Sequence, residues 1–459
     1  MKDELIQWCR RLIACPSITG EGTRAIAELC ARAMLAPAGI ESRLIPSRAE
    51  GEAQVNLVAT IKGEDSSLAP IVLNTHLDTV PPGDKSLWTE CAGDPFSAPI
   101  KNDRIYGLGA ADTKLDFVAK ASALIDNRHP RRDVWLIATF GEERGMVGAR
   151  ELAGSAMLPR GAMAFIGEPS ALEVVTAHKG LIAFHLVLRF DPVKLDQPAT
   201  ATRALFLGRS AHSSTPALGV NAIVAALDAL TLHRKPILAS IGGGDAVNKV
   251  PARCELVLID EALANLSAAK PERIDRLVHS LIPDGAISML RAFIAYLTDF
   301  ANSKGPVEPD YSQPTLTCNP GVIRSTEDSL TLEFELRPPP SMAIDMVRAG
   351  VNQAFNKIAD HAAGVTASLT ERRANPGFRS PANSEAVAHA IAALTKAGLP
   401  VRTAVKTGCT EAGIYAAAGL HPVVFGPGQS AGVIHAPNEY NLIAQVEGAV
   451  RFYSAIVDL

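Results

Sequence analysis

Apolar positions along this chain fall into two textures. In the first 180 residues, short unbroken apolar runs alternate with segments whose apolar positions recur at helical spacing. The runs are "PIVLNTH" at 70–76, "DVWLIATF" at 133–140 and "AMAFIGE" at 162–168, and the helical segments are "TRAIAELCARAMLAPAG" at 23–39 and "TKLDFVAKASALID" at 113–126. A strand covered on both faces reads as a continuous apolar run, so the alternation predicts an α/β layer with a mostly parallel sheet flanked by helices. At the N-terminus, "MKDELIQWCRRLIACPS" places Leu5, Trp8, Leu12 and Ile13 at helical spacing with charges between them. It predicts an amphipathic helix ended by Pro16, not a signal peptide.

The texture changes near residue 180. "LIAFHLVLRF" at 181–190 alternates like a half-covered strand and is followed by a helical "NAIVAALDALTLH" at 221–233. Further on come "NKVPARCELVLID" at 248–260, "SLTLEFELRPP" at 329–339, a helical "MAIDMVRAGVNQAFNKIAD" at 342–360 and "GVTASLTER" at 364–372. These predict a smaller α+β domain with an antiparallel sheet over 180–374. Residues 381–399 read as a helix capped by Asn383 or Ser384, with Gly398 beyond its end, and "HPVVFGPG" at 421–428 returns to the buried-strand style. The second domain is therefore expected as an insertion into a first domain made of 1–179 and 375–459. The stretch 261–313 is rich in helix formers and interrupts two strand candidates, so it is expected as an extra helical element on the inserted domain.

Length and composition agree with two packed cores. The chain has 459 residues, and single cores rarely grow past roughly 250–300 residues. With 47% hydrophobic and 20% charged residues, disorder is not expected. A formal net charge of −4 supplies no field to neutralise a phosphate backbone, and the run "RHPRR" at 128–132 reads as a helix-capping, solvated loop, so nucleic acid is not an expected partner. Seven cysteines are scattered without a C-x-x-C pair, which suits a reducing cytosol. No apolar run approaches the roughly 18–20 residues that span a bilayer. A cytoplasmic location without membrane contact is expected.

Candidate chemistry gathers where the strand candidates of the first domain end. "PIVLNTHLD" ends in His76 and Asp78, which share a side if the strand persists through Leu77. Alone, that pair is equally a histidine bonded to a neighbouring carboxylate or a metal ligand with a supporting carboxylate. "VWLIATFGEE" ends in Glu142 and Glu143, "AMAFIGE" in Glu168, "RIYGLGAADTK" carries Asp112 in a small-residue loop before a helix, and "FGPGQSAGVIHAPNEY" carries His435 in a loop after a strand. In open α/β sheets ligands bind at the carboxyl ends of the strands, so these segments can converge. Together they make a ligand set for two divalent metals. Mixed nitrogen and oxygen donors without thiolate suit zinc first, with cobalt or manganese as alternatives.

On the motifs "HLDTVP", "GAADTK", "GEERG", "GEPS", "AHSSTPALGVNAI", "NKVPARCEL" and "GPGQSAGVIHAPNEY", the sequence resembles the dinuclear zinc amidohydrolases. These include aminoacylase, acetylornithine deacetylase, succinyl-diaminopimelate desuccinylase and glutamate carboxypeptidases. The resemblance covers essentially the whole chain. It implies a zinc-peptidase catalytic domain with an inserted lid and dimerisation domain. It further implies that Asp112 bridges two metals, that His76 and Glu168 complete one and that Glu143 and His435 complete the other. Asp78 then orients His76, and Glu142 is the general base, pointing opposite to Glu143 if strand geometry continues. His212 is implied as an oxyanion donor reaching from the lid of a partner subunit. Asn248, Arg337, Gly408 and Thr410 match positions that hold a substrate carboxylate, for which a guanidinium fork is apt.

Two departures stand out against the family pattern. Leu108 replaces an arginine ahead of the bridging aspartate, and Leu115 and Asp116 follow Lys114 where glycines are usual. The implied activity is cleavage of the amide of a small N-acyl amino acid by a water activated between two divalent metal ions, nearest the acetylornithine deacetylase branch. A desuccinylase, a dipeptidase or a carboxypeptidase with the same metal centre is the alternative, and a homodimer or a monomer is the expected assembly. A non-catalytic metal-binding protein would have lost a ligand or the base, and none is missing. A cysteine or serine hydrolase using Cys409 or Ser210 has no evident base beside either residue.

Overall fold

The computed structural model describes residues 2–155, 157–230, 237–259, 272–303, 305–359 and 364–459. The chain divides into two compact units, Met1–His178 with Phe378–Leu459, and Lys179–Gly377. All seven cysteines are free. Among the described residues no helix is long and apolar enough to cross a membrane.

The first unit is built on a nine-stranded sheet. Its centre is parallel, in the order Val134–Thr139, Ile71–His76, Met163–Gly167 and His421–Phe425. The antiparallel strands Gly51–Ile61 and Ser42–Ser47 extend one side. Val174–His178 meets His421–Phe425 on the other, and is itself paired with Phe378–Arg379 and Thr403–Lys406. The central strands are apolar at almost every position because both faces are covered. Side chains alternate across the sheet, so Leu73, Leu136, Phe165 and Val423 pack on one face while Val72, Ile137, Ile166 and Val424 pack on the other. Helices Lys2–Ile13, Lys114–Asp126, Glu385–Lys396 and Ile443–Asp458 cover the first face, and Val147–Gly154 and Ala412–Ala417 the second. Phe165 is fully buried between Phe452 and His389, and its truncation to Ala would cost about 3–5 kcal/mol.

Local signals set the helix ends. Ser384 accepts the Val387 N–H and so caps the helix Glu385–Lys396, and Gly398 past its end takes φ 65°. The expected helix over 23–39 is one helical path in three pieces: α over Arg24–Leu29, a π turn over Cys30–Leu35 and a 3-10 turn over Ala36–Ala38. Pro37 has no N–H to continue the ladder, and Gly39 closes the path at φ 73°.

The parallel register aligns the carboxyl ends of the central strands. Ile71 is level with both Val134 and Met163, so His76 ends beside Thr139, and Thr75 beside Gly167, the residue before Glu168. Phe425 is also level with Gly167. One sheet edge therefore presents the segments that begin at His76, Phe140, Glu168 and Gly426.

The second unit is an eight-stranded sheet whose neighbouring strands all run antiparallel. Helices Ala222–Ala229, Asp284–Ser303 and Ile344–Ala359 supply the core on one of its faces, where Phe184, Leu186, Leu188, Leu332 and Phe334 are buried. The helix expected over 221–233 is found as Ala222–Ala229, and its last expected residues, 231–233, lie outside the described ones. The expectation of a helical element over 261–313 needs correction. Asp284–Ser303 is a helix, but Glu272–Leu281 is a strand on the edge of Val193–Leu207, and 260–271 lie outside the described residues. The long strand Val193–Leu207 pairs with Arg253–Leu258 along one edge and takes up Glu272–Leu281 along the other. Val278 and Leu281 bury against Ala201 and Val257, and this pairing overrides the helix-forming composition.

Candidate metal centre

His76 closes its strand, and the Leu77 N–H continues the ladder to the Thr139 carbonyl at 2.9 Å. Its Nδ1 lies 3.0 Å from the Asp78 carbonyl oxygen, an acceptor only, so Nδ1 carries the proton. Nε2 then faces Asp112 Oδ1 at 3.1 Å. The other oxygen of Asp112 lies 3.2 Å from His435 Nε2, which is 3.0 Å from Glu143 Oε1. One carboxylate thus faces two imidazoles, one per oxygen. Adjacent ligand atoms on a tetrahedral zinc with bonds of 2.0–2.1 Å lie about 3.3 Å apart, so the spacing of these pairs fits shared ions. The ligand atoms of Asp112, Glu143 and His435 all lie within 4.8 Å of one another.

Backbone geometry delivers each of these groups. The small strands Ile100–Lys101, Arg104–Tyr106 and Tyr440–Leu442 pair antiparallel. Glu439, just before the last of them, accepts the N–H groups of Ala111 and Asp112 at 2.8 and 2.9 Å. Its buried carboxylate thereby shapes the loop that aims Asp112. His435 adopts φ 55°, a left-handed conformation uncommon for a side-chain-bearing residue.

The two glutamates do not diverge through strand alternation, as the sequence suggested. The strand ends at Thr139, Gly141 turns the chain at φ 66°, and Glu142 and Glu143 sit in a turn. Asp78 anchors that turn, its carboxylate accepting the N–H groups of Glu142 and Glu143 at 3.1 and 3.3 Å. The expected orienting contact with His76 is made at hydrogen-bond distance by the Asp78 carbonyl, while the Asp78 carboxylate lies 3.6 Å from Nδ1. Glu142 is itself buried.

The electrostatics are those of excess negative charge around two imidazoles. Hydrogen bonds to Asp112 and Glu143 push His435 up to about 11. Burial alone would lower His76, but Asp112 and Asp78 raise it well above its ordinary value. Burial would raise Asp112, yet His435 and His76 hold it well below the usual carboxylate range. Burial, followed by the charge of Asp112, pushes Glu168 up to about 8. Protons here stand where cations would, and carboxylate and imidazole donors without thiolate fit zinc, cobalt or manganese.

The remaining candidates divide between the units. In the first, Thr410 gives its N–H to His178 Nε2 at 3.1 Å, and a Cβ on Gly408 would meet nothing within 4 Å, so that loop borders open space. In the second, His212 is exposed and accepts the Ser214 N–H on Nδ1 at 3.1 Å, which leaves the neutral ring its proton on Nε2. Asn248 is exposed, and its carbonyl accepts the Ser213 N–H at 3.0 Å. Arg337 is buried, and its Nε donates to Glu335 at 2.7 Å.

Sequence reasoning missed several groups behind the centre. Glu411 is buried, accepts from Asn74 at 2.5 Å and Thr139 at 2.9 Å, and is pushed up to about 7 by that burial. Asp116 and Lys120 form a fully buried ion pair at 2.6 Å beneath Thr75 and Gly167. A charged residue inside an otherwise apolar helical face was the available signal for that pair. The segment "GQSAG" at 428–432 has the G-x-S-x-G spacing of a nucleophile elbow. Ser430 nevertheless donates to the Pro169 carbonyl at 2.7 Å, and among the described residues no histidine is hydrogen-bonded to it.

Solved structures share the fold. Aminoacylhistidine dipeptidase from Vibrio alginolyticus superposes with a TM-score of 0.69 at 19% identity, covering 99% of this chain and 96% of that one. An M20 family metallo-carboxypeptidase from Sulfolobus solfataricus gives 0.62 at 19% identity, covering 99% and 98%. Relatives by sequence include acetylornithine deacetylase of Photorhabdus laumondii, 33% identical over 411 residues that cover 78% of this chain and 96% of the relative. The acetylornithine deacetylase of Proteus mirabilis is 30% identical over 371 residues, covering 69% and 89%. The sequence profile of Peptidase family M20/M25/M40 matches residues 72–459, a span that contains every ligand candidate above. This chain belongs to that family and is a metal-dependent hydrolase of amide bonds.

Proposed function

We propose that the protein removes the acyl group from small N-acyl amino acids by hydrolysis, releasing a free amino acid and a carboxylic acid. The observation that carries this reading is the single carboxylate of Asp112 set between His76 and His435, with Glu143 beside the latter. Asp112 would bridge two ions, His76 and Glu168 would hold one, and Glu143 and His435 the other. Divalent cations bound there lower the pKa of water and polarise the amide oxygen.

The chain's own residues then divide the work. Glu142 takes a proton from the attacking water and returns it to the nitrogen of the leaving amine. Asp78 fixes the turn that carries both the base and a ligand, through the two N–H groups it accepts. His212, with its proton on Nε2, is a donor suited to the developing oxyanion. Arg337 and Asn248, with the loop around Gly408 and Thr410, take the substrate carboxylate.

The sequence relatives favour an acetylated amino acid of the acetylornithine kind, and zinc, a cytoplasmic location and a homodimer complete the reading. Removal of succinyl or aminoacyl groups uses the same chemistry and differs only in the acyl pocket. A panel of acetyl, succinyl and aminoacyl substrates given to the zinc-loaded protein tests the assignment. Turnover of none of them, or full activity after rigorous chelation, would overturn it.

A further inference from the structure

A cavity of about 300 Å³ in the first unit begins one residue beyond the ligand candidate Glu168. It is lined by Pro169 and Ser170, by the end of the strand Thr403–Lys406, and by Gln429 and Ser430. Its size is at the small end of the range of about 300–1,000 Å³ typical of small-molecule sites. Two of its walls are direct continuations of segments that carry ligand candidates. Pro169 follows Glu168, and Gln429 and Ser430 lie on the loop that leads to His435.

Polar groups converge on this wall. Lys406 Nζ and Ser430 Oγ each donate to the Pro169 carbonyl oxygen at 2.7 Å, which places the ammonium and the hydroxyl side by side, one residue from Glu168. An ammonium has three N–H groups, and this bond uses one of them. Among the described residues no carboxylate lies within ion-pair distance of Lys406, which is half-buried. Glu168 feels the lysine's charge, but in the reading above its oxygens belong to a metal. Gln429 is exposed and adds an amide at the mouth. The one carboxylate on the lining, Glu173, lies 3.9 Å from Arg402. Two residues beyond Lys406, Gly408 borders open space.

We infer that Lys406, with Ser430 and Gln429, forms a subsite for a second carboxylate of the substrate, so that the protein prefers dianionic N-acyl amino acids. The inference rests on the deacylase reading and, within it, selects a dianionic substrate in place of the acetylornithine kind, whose side chain is cationic. In the reading above, the α-carboxylate is assigned to Arg337. The second carboxylate then belongs either to a dicarboxylic acyl group such as succinyl or to an acidic side chain such as that of glutamate. A substrate with a cationic side chain places no anion opposite Lys406.

The experiment compares N-acetylalanine, N-succinylalanine and N-acetylglutamate as substrates of the zinc-loaded full chain, with wild type, Lys406→Gln and Lys406→Arg. Binding of succinate to the same proteins is followed by calorimetry. A charge-assisted hydrogen bond in a partly open site is worth about tenfold in kcat/KM. One dianionic substrate should exceed N-acetylalanine by about that factor, and which one does so locates the carboxylate in the acyl group or in the side chain. Lys406→Gln should erase the advantage, mainly through KM, and weaken succinate about tenfold, while Lys406→Arg retains most of both. Equal turnover of the three substrates, or succinate binding untouched by Lys406→Gln, overturns the subsite. If no substrate turns over but succinate binding still depends on Lys406, the deacylase reading fails and the anion subsite stands.

Discussion

Asp116→Ala removes one half of an ion pair that has no access to water. Lys120 Nζ lies 2.6 Å from Asp116, and both side chains have zero exposure. Around them, Thr75 Oγ1 donates to Asp116 at 2.5 Å and Tyr453 OH at 2.6 Å, while Lys120 donates to the Asn74 carbonyl at 2.5 Å. In the variant Lys120 keeps its backbone acceptor and loses its counter-charge. Folding must then proceed with a neutral lysine, and deprotonating an ordinary lysine of pKa about 10.4 at pH 7 costs about 4.6 kcal/mol. That agrees with the about 3–5 kcal/mol typical of breaking a buried pair.

The sign of the pH dependence follows from the same proton count. Between pH 7 and 10 the unfolded variant holds a proton on Lys120 that the folded variant lacks. Stability of the variant relative to wild type therefore rises by about 1.4 kcal/mol per pH unit, leaving a penalty of about 2 kcal/mol at pH 9. Asp116→Ala combined with Lys120→Met removes both charges and should recover most of the loss. All three tryptophans, Trp8, Trp88 and Trp135, lie in the first unit, so fluorescence in urea reports its unfolding alone. With a slope of about 3 kcal/mol/M, the midpoint at pH 7 should fall by about 1.5 M. A fall under about 0.3 M, or a penalty that does not shrink toward pH 9, refutes the reasoning.

Three further outcomes are expected. Metal analysis of purified protein should approach two divalent ions per chain, and uptake by metal-free protein should release protons, because neighbouring carboxylates raise His76 well above its ordinary value and push His435 up to about 11; uptake without proton release contradicts that arrangement. Glu142→Ala should keep both ions while kcat falls by about 10²–10⁴, whereas loss of metal in this variant would make Glu142 a ligand. His212→Ala should lower kcat by about 10²–10³ with metals retained. If the histidine acts across a dimer, mixing His212→Ala with Glu142→Ala should restore up to about a quarter of wild-type activity, and no recovery despite proven subunit exchange rejects action in trans.

The central strands were legible because burial on both faces writes itself as an unbroken apolar run, as in Ile71–His76 and Met163–Gly167. Edges were not legible. Glu272–Leu281 has the composition of a helix and becomes a strand only because Val193–Leu207 offers it a partner, which is information carried by residues far away in sequence, from Arg203 opposite Glu272 to Val193 opposite Leu281. The π turn at Cys30–Leu35 was hidden for another reason. Its residues keep helical spacing, and the difference lies in hydrogen bonding that a hydrophobic pattern does not encode.

The site shows the same division between what a residue is and what holds it. His76, Asp112, Glu143, Glu168 and His435 stand out as ligand candidates because ligand-type residues recur at strand ends, and all but Glu168 meet at hydrogen-bond distances. Their supports were invisible for a physical reason: a buried carboxylate such as Glu439 or Glu411 acts through backbone and side-chain donors far away in sequence. Glu439 reaches Asp112 across 327 positions, and Glu411 reaches Asn74 across 337. Asp116 is the instructive case, since it first appeared only as a departure from the family's glycine. A Cβ on Gly167 would collide with Asp116 Oδ2, so that glycine and that aspartate occupy one space beneath Glu168. A change at either should act on both, and Gly167→Ala should weaken metal binding by displacing Glu168 while leaving its carboxylate chemically intact. Unchanged metal affinity in Gly167→Ala, measured by competition with a chelating dye, would show that the space beneath Glu168 yields without moving the ligand.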